Sequence, residues 1–184
     1  MKDMEELFND LRELIVTSMI QVDEKYFNFK IANKKDLIHR ERVYCYELYH
    51  QMRNLQNEMK FNNYSINAEP DKSNHPILKE FCGSINPDFI VHNPGYMSHQ
   101  NNLAVIEVKA SSGNLTIGIK KDLQTINCMT GIEEWILWRN INYIWSIIPK
   151  EKKQSRIKNN LPTNAKKFII ILQEEPNEKP EILI

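Results

Sequence analysis

Apolar positions recur at Met4, Leu7, Leu11, Leu14, Ile15 and Met19, the three-to-four spacing of a helix with one buried face over residues 3–22. Residues 26–31 alternate and predict a short strand. A second helical stripe follows at Leu37, Ile38, Tyr44, Cys45, Leu48, Met52 and Leu55, with Asp36 as its expected cap and an end near Glu58. Beyond it the period changes. Strands are predicted over 64–68, 88–92, 103–109, 142–148 and 167–172, with one helix over 117–129 whose inner side holds Ile119, Leu123 and Ile126. Turn-rich pieces separate these elements at 71–76, 93–95 and 111–114. The lysine-rich stretch before 167 reads as a loop or frayed helix, and the tail over 174–179 reads as polar and turn-rich.

Helices framing hairpin-linked strands predict an α/β fold of the α+β kind, a central mixed sheet with helices on its faces. The expected organisation is one domain: a helical extension over 1–34, a core over 35–173 and a tail over 174–184. The apolar face of the first helix can cap that core or join two copies in a homodimer. At 184 residues and 41% hydrophobic content the chain can bury one core.

No apolar run approaches the roughly 20 residues that span a bilayer, and the acidic start (Asp3, Glu5, Glu6) does not resemble a secretory leader. A cytoplasmic protein without membrane contact is expected. Three cysteines, Cys45, Cys82 and Cys128, stand far apart without a CxxC, which speaks for reduced thiols and against a structural zinc site. The formal net charge is zero, so the chain is no general coat for nucleic acid. Charge is nonetheless segregated: residues 150–167 hold seven basic side chains against Glu151 alone.

The candidate chemistry lies on two strands and one helix. In a strand, residues two apart share a face about 6.5 Å apart. Glu107 and Lys109 therefore stand together, while Ala104, Ile106 and Val108 face the other way. A weakly paired, solvated strand end is the plain explanation of those two charges. The preceding strand adds to them. Asp88 follows Pro87 and shares a face with Ile90 and His92, and antiparallel pairing would set it beside Glu107. Two carboxylates and a backbone carbonyl, that of Val108, make an oxygen-rich site suited to Mg²⁺ or Mn²⁺. A lysine beside them can hold a water and balance charge on a phosphate. On the second helix Glu41 falls on the apolar stripe and Glu47 off it. A carboxylate in that position needs a cation or an ion pair, with Lys35, Arg40 and Arg42 as structural partners.

Pro87-Asp88 followed by Glu107-x-Lys109, with a Glu41-Arg42 helix upstream, resembles the PD-(D/E)XK nuclease superfamily. The resemblance is closest to its small bacterial members, through Glu69, the Pro87–His92 strand, the Asn102–Lys109 strand and Lys121-Asp122-Leu123, over about residues 36–130. It implies a restriction-endonuclease-like core and a Mg²⁺- or Mn²⁺-dependent nuclease acting on nucleic acid, with DNA expected. By the same resemblance Asp88, Glu107 and the Val108 carbonyl bind metal, Lys109 orients the attacking water and Glu41 completes the site. Glu69 serves either the site or a structural salt bridge. Lys120, Lys121 and Gln124 would border the substrate groove, with a solvated helix face as their plain alternative. His92 could touch a phosphate or act as an ordinary hydrogen-bonded histidine. The basic residues Lys150, Lys152, Lys153, Arg156 and Lys158 could grip a backbone or simply be solvated. Trp135, Trp138 and Trp145 fit core or interface better than base stacking. The other class of function is a nuclease-like fold without catalysis, acting as a nucleic-acid- or protein-binding module.

Overall fold

A computed structural model describes residues 2–33, 35, 37–70, 86–96, 101–109, 121, 124–125, 142–147, 168–173 and 175–183. The first helix, α1 (Met4–Ile20), opens on a reciprocal cap. The Asp3 carboxylate accepts the Glu6 N–H at 2.8 Å, and the Glu6 carboxylate accepts the Asp3 N–H at 3.1 Å. Leu11, Leu14, Ile15 and Met19 are fully buried. The apolar face of α1 is thus used inside the chain's own core, where each such side chain contributes about 2 kcal/mol.

The strand expected at 26–31 does not form. Asp23 accepts the Lys25 N–H at 3.1 Å and caps a single helical turn, α2 (Glu24–Phe27). A local side-chain-to-backbone bond has prevailed over an alternating pattern too short to find a partner strand. Only Phe29 pairs, in an isolated bridge with Ile38. That bridge also corrects the start of the second long helix. Ile38 exchanges both backbone bonds with Phe29, so the chain is extended where a helix capped by Asp36 was expected. The helix α3 (Glu41–Glu58) begins only after Arg40, which supplies no side-chain cap. Leu37 consequently leaves the stripe and is 50% exposed. Tyr44, Cys45, Leu48, Met52 and Leu55 keep their buried places.

Six strands form one sheet in sequence order: β1 (Ser65–Ala68), β2 (Phe89–His92), β3 (Asn102–Lys109), β4 (Asn142–Ile147), β5 (Phe168–Leu172) and β6 (Glu181–Leu183). The pairs β1–β2 and β2–β3 are antiparallel, β3–β4 and β4–β5 parallel, and β5–β6 antiparallel. The short link from β2 suits an antiparallel neighbour, whereas the long segments before β4 and β5 suit the crossovers that parallel strands require. The mixed α/β class is as expected. The tail has its expected turns after 174, and beyond them the chain adds β6, a three-residue edge strand too short for its alternation to be read.

Strand parity divides the sheet. Phe89, Val91, Ala104, Ile106 and Val108 join α1 and α3 in the core, with the Tyr49 ring stacked 6.3 Å from Phe89. Ile90 and Val105 are buried on the opposite face. Gln173 ties three elements together at the end of β5. Its side-chain oxygen accepts the Tyr44 hydroxyl at 2.9 Å, and its amide donates to the Met19 carbonyl at 2.9 Å, with every side chain involved buried. Among the described residues no helix is long and apolar enough to cross a membrane.

Several expected features lie outside the described residues: the loops 71–76 and 111–114, most of the helix 117–129, the basic segment from 150, Cys82, Cys128, Trp135, Trp138 and Lys120. Trp145 falls in β4, and its side chain lies outside them as well.

Candidate active site at the ends of the central strands

Register brings the acids together. Phe89 pairs with Ile106, so one further step sets Asp88 across from Glu107, on a shared face of the sheet. The β1–β2 ladder also runs one step beyond its last pair, because the Glu69 N–H donates to the Asp88 carbonyl at 2.8 Å. Asp88 is thereby fixed by backbone on one side and by its own side chain on the other. Its carboxylate accepts the Val108 N–H at 2.6 Å, in place of the next ladder bond. The N–H and carbonyl of one strand residue point to the same edge, so the Val108 carbonyl also faces the Asp88 side.

Glu107 is 5% exposed. Lys109, two residues on, is held at both oxygens of Glu41, 3.1 and 3.0 Å from its Nζ. Glu41 opens α3, where the helix dipole favours an anion. The carboxylate on the apolar stripe thus takes its partner from β3, and not from Lys35, Arg40 or Arg42. Glu47 is half-buried and accepts from the Gln51 amide at 2.7 Å, away from this group.

A second ion pair stands beside the first. Arg42 Nε donates to Glu69 at 3.0 Å. Glu69 has φ +41° and precedes Pro70, a backbone state costly for a residue with a side chain. It is held there by its N–H on Asp88 and its carboxylate on Arg42.

Burial pushes the Asp88 carboxyl above its ordinary range. The Val108 N–H opposes that rise, the nearby Glu41 charge adds to it, and the Glu107 side chain and Lys109 moderate it. Cys45, one turn after Glu41, reports the same field. Burial first, then the charges of Asp88, Glu41, Glu107 and Glu69, push its thiol well above the usual range. Sequence reasoning put Cys45 on the buried stripe and Arg42 beside Glu41, but gave neither a place in this group. The signal for both was position, one turn and one residue from Glu41.

His92 is buried at the far end of β2, three residues past Phe89 and beside a register shift. Lys121 and Gln124 are exposed helical residues, and the Lys121 carbonyl accepts the Thr125 hydroxyl at 3.3 Å.

The donor set fits a hard divalent cation. Asp88 and Glu107 are carboxylates turned to one another with little water, and the adjoining Val108 carbonyl is a third oxygen. Such a pair is costly without a proton or a cation between its members. Mg²⁺ takes one or two carboxylates and fills its remaining positions with water and phosphate. Among the described residues no group of three His, Cys, Asp or Glu side chains is spaced to hold a metal, which agrees with Glu41 being turned to Lys109. No protein-family model, curated protein or solved structure matches this chain.

Proposed function

We propose that this chain is a Mg²⁺- or Mn²⁺-dependent nuclease with a restriction-endonuclease-like core, hydrolysing phosphodiester bonds of nucleic acid, with DNA as the expected substrate. The observation that carries the reading is the register pairing of Asp88 with Glu107, with Lys109 two residues along the same strand. Buried oxygen donors beside a positioned ammonium group are the equipment of phosphodiester hydrolysis.

In this reading Asp88, Glu107 and the Val108 carbonyl hold the metal. When bound, the metal lowers the pKa of a water and neutralises charge on the phosphate. The chain's own residues do the rest. The Val108 N–H fixes the rotamer of Asp88, so one carboxylate oxygen stays turned towards Glu107. Lys109 Nζ donates to the attacking water or to a phosphate oxygen as charge builds there. Glu41 keeps that ammonium group in place. Burial of Glu107 and of most of the Lys109 side chain excludes bulk water, which strengthens each of these contacts.

One observation favours the second reading, a nuclease-like binding module without catalysis: both Glu41 oxygens already hold Lys109. Cleavage assays with Mg²⁺ and Mn²⁺ over single-stranded and duplex DNA and RNA separate the two. Asp88→Ala, Glu107→Ala and Lys109→Ala are expected to abolish cleavage with the fold retained. If all three cut as the parent does, or the parent binds nucleic acid in EDTA without any metal-stimulated cleavage, the nuclease reading is wrong.

A further inference from the structure

We propose that the outer face of α3 is a track for single-stranded nucleic acid that leads the strand to the acidic site. At 100° per residue, Arg42, Tyr46, His50, Arg53 and Asn57 fall within an arc of about 80°. All five are exposed. Tyr46 is 56% exposed, one of three large hydrophobic side chains left so among the described residues. The acids of α3 avoid this arc. Glu41 is turned to Lys109, Glu47 is half-buried against Gln51, and Glu58 lies about 160° around the helix from Arg42. The inner face of α3 already supplies its packing, so a tyrosine on the outer face between two arginines adds nothing to the core.

The stripe begins at the site. Arg42 follows Glu41 directly, and its side chain is 73% exposed. Its bond to Glu69 is a solvated ion pair of the weak kind, in which a phosphate can replace the carboxylate. Arg53 lies eleven residues further, about 16 Å along the axis, the reach of a few nucleotides. Two guanidinium groups suit phosphates. The tyrosine ring between them offers a surface for an unstacked base, which a single strand supplies and a duplex does not. His50, in contact with Asn54 at 2.9 Å, and Asn57 add hydrogen-bonding edges along the same line.

The direction given to the strand rests on the nuclease reading, but binding is measured without cleavage. The assay is fluorescence anisotropy of a labelled oligothymidylate, and of a duplex of equal length, with the full chain in EDTA over a series of salt concentrations. Tyr46→Ala is expected to weaken oligothymidylate binding on the order of ten-fold, with Tyr46→Phe at the parent level. Arg53→Ala is expected to lower the slope of log affinity against log salt by about 0.7, the loss of one phosphate contact on a single strand. Both residues are exposed, but Arg53 also donates to the side-chain oxygen of the buried Gln56, so melting temperatures serve as the folding control. The proposal is overturned if the parent does not bind, if it prefers duplex, if Tyr46→Ala binds as the parent does, or if Arg53→Ala leaves the slope unchanged. A failure of the catalytic reading, with Asp88 variants still cutting, leaves these binding values where they are.

Discussion

Asp88→Asn tests the metal site through stability. The amide oxygen of asparagine can still accept the Val108 N–H, and its nitrogen gains a donor for Glu107, so the local hydrogen bonding survives. What disappears is a largely buried negative charge close to the Glu41 carboxylate. The Asp88 carboxyl titrates above its unfolded value because of burial. Between those two values the folded protein binds more protons than the unfolded one. Its contribution to stability is therefore full below the unfolded value and is lost as pH rises through the folded value. Above the folded value and without metal the penalty is present, and Asp88→Asn should melt higher than the parent. That advantage should shrink as pH falls towards the unfolded carboxylate value. Metal reverses the order. A ligand at one hundred times its Kd stabilises by about 2.7 kcal/mol. For a chain of this size that is about 5–11 °C in Tm. Thermal scans of both proteins with and without Mg²⁺ or Mn²⁺ read both effects. The parent should gain this shift and Asp88→Asn should lose it. An equal metal shift in both proteins, or a metal-free Asp88→Asn that melts below the parent above that folded value, would refute the reasoning.

Two further outcomes follow from named contacts. Cys45, with its thiol held protonated by burial and four nearby carboxylates, should resist iodoacetamide at pH 8 in the folded protein and react once unfolded, as peptide mapping by mass spectrometry would read. Tyr44→Phe strands the Gln173 side-chain oxygen in the core, which should cost about 1–3 kcal/mol and lower Tm by about 2–12 °C; a double-mutant cycle with Gln173→Ala should be non-additive.

Local rules sufficed for much of this protein. The Asp3 and Glu6 cap and the stripe from Leu7 to Met19 specify α1 without reference to anything distant. Short apolar runs mark β2 and β3, and the two-residue parity of a strand sets Glu107 and Lys109 on a shared face. Helical phase separates Glu41 from Glu47. These features depend on residues within a turn or a few pleats of one another, so the chain carries them at any point along its length.

Other features depended on which distant segment arrived. The expected strand at 26–31 gave way to a capped turn, and α3 began late, because Phe29 found Ile38 as its bridge partner. The three residues of β6 became a strand only where β5 offered an edge. The placement of Asp88 opposite Glu107 is a matter of register, which no single strand encodes. The pairing of Glu41 with Lys109, and of Arg42 with Glu69, was likewise decided in three dimensions. A buried or half-buried charge takes the partner that folding brings within reach, and sequence distance gives no measure of that.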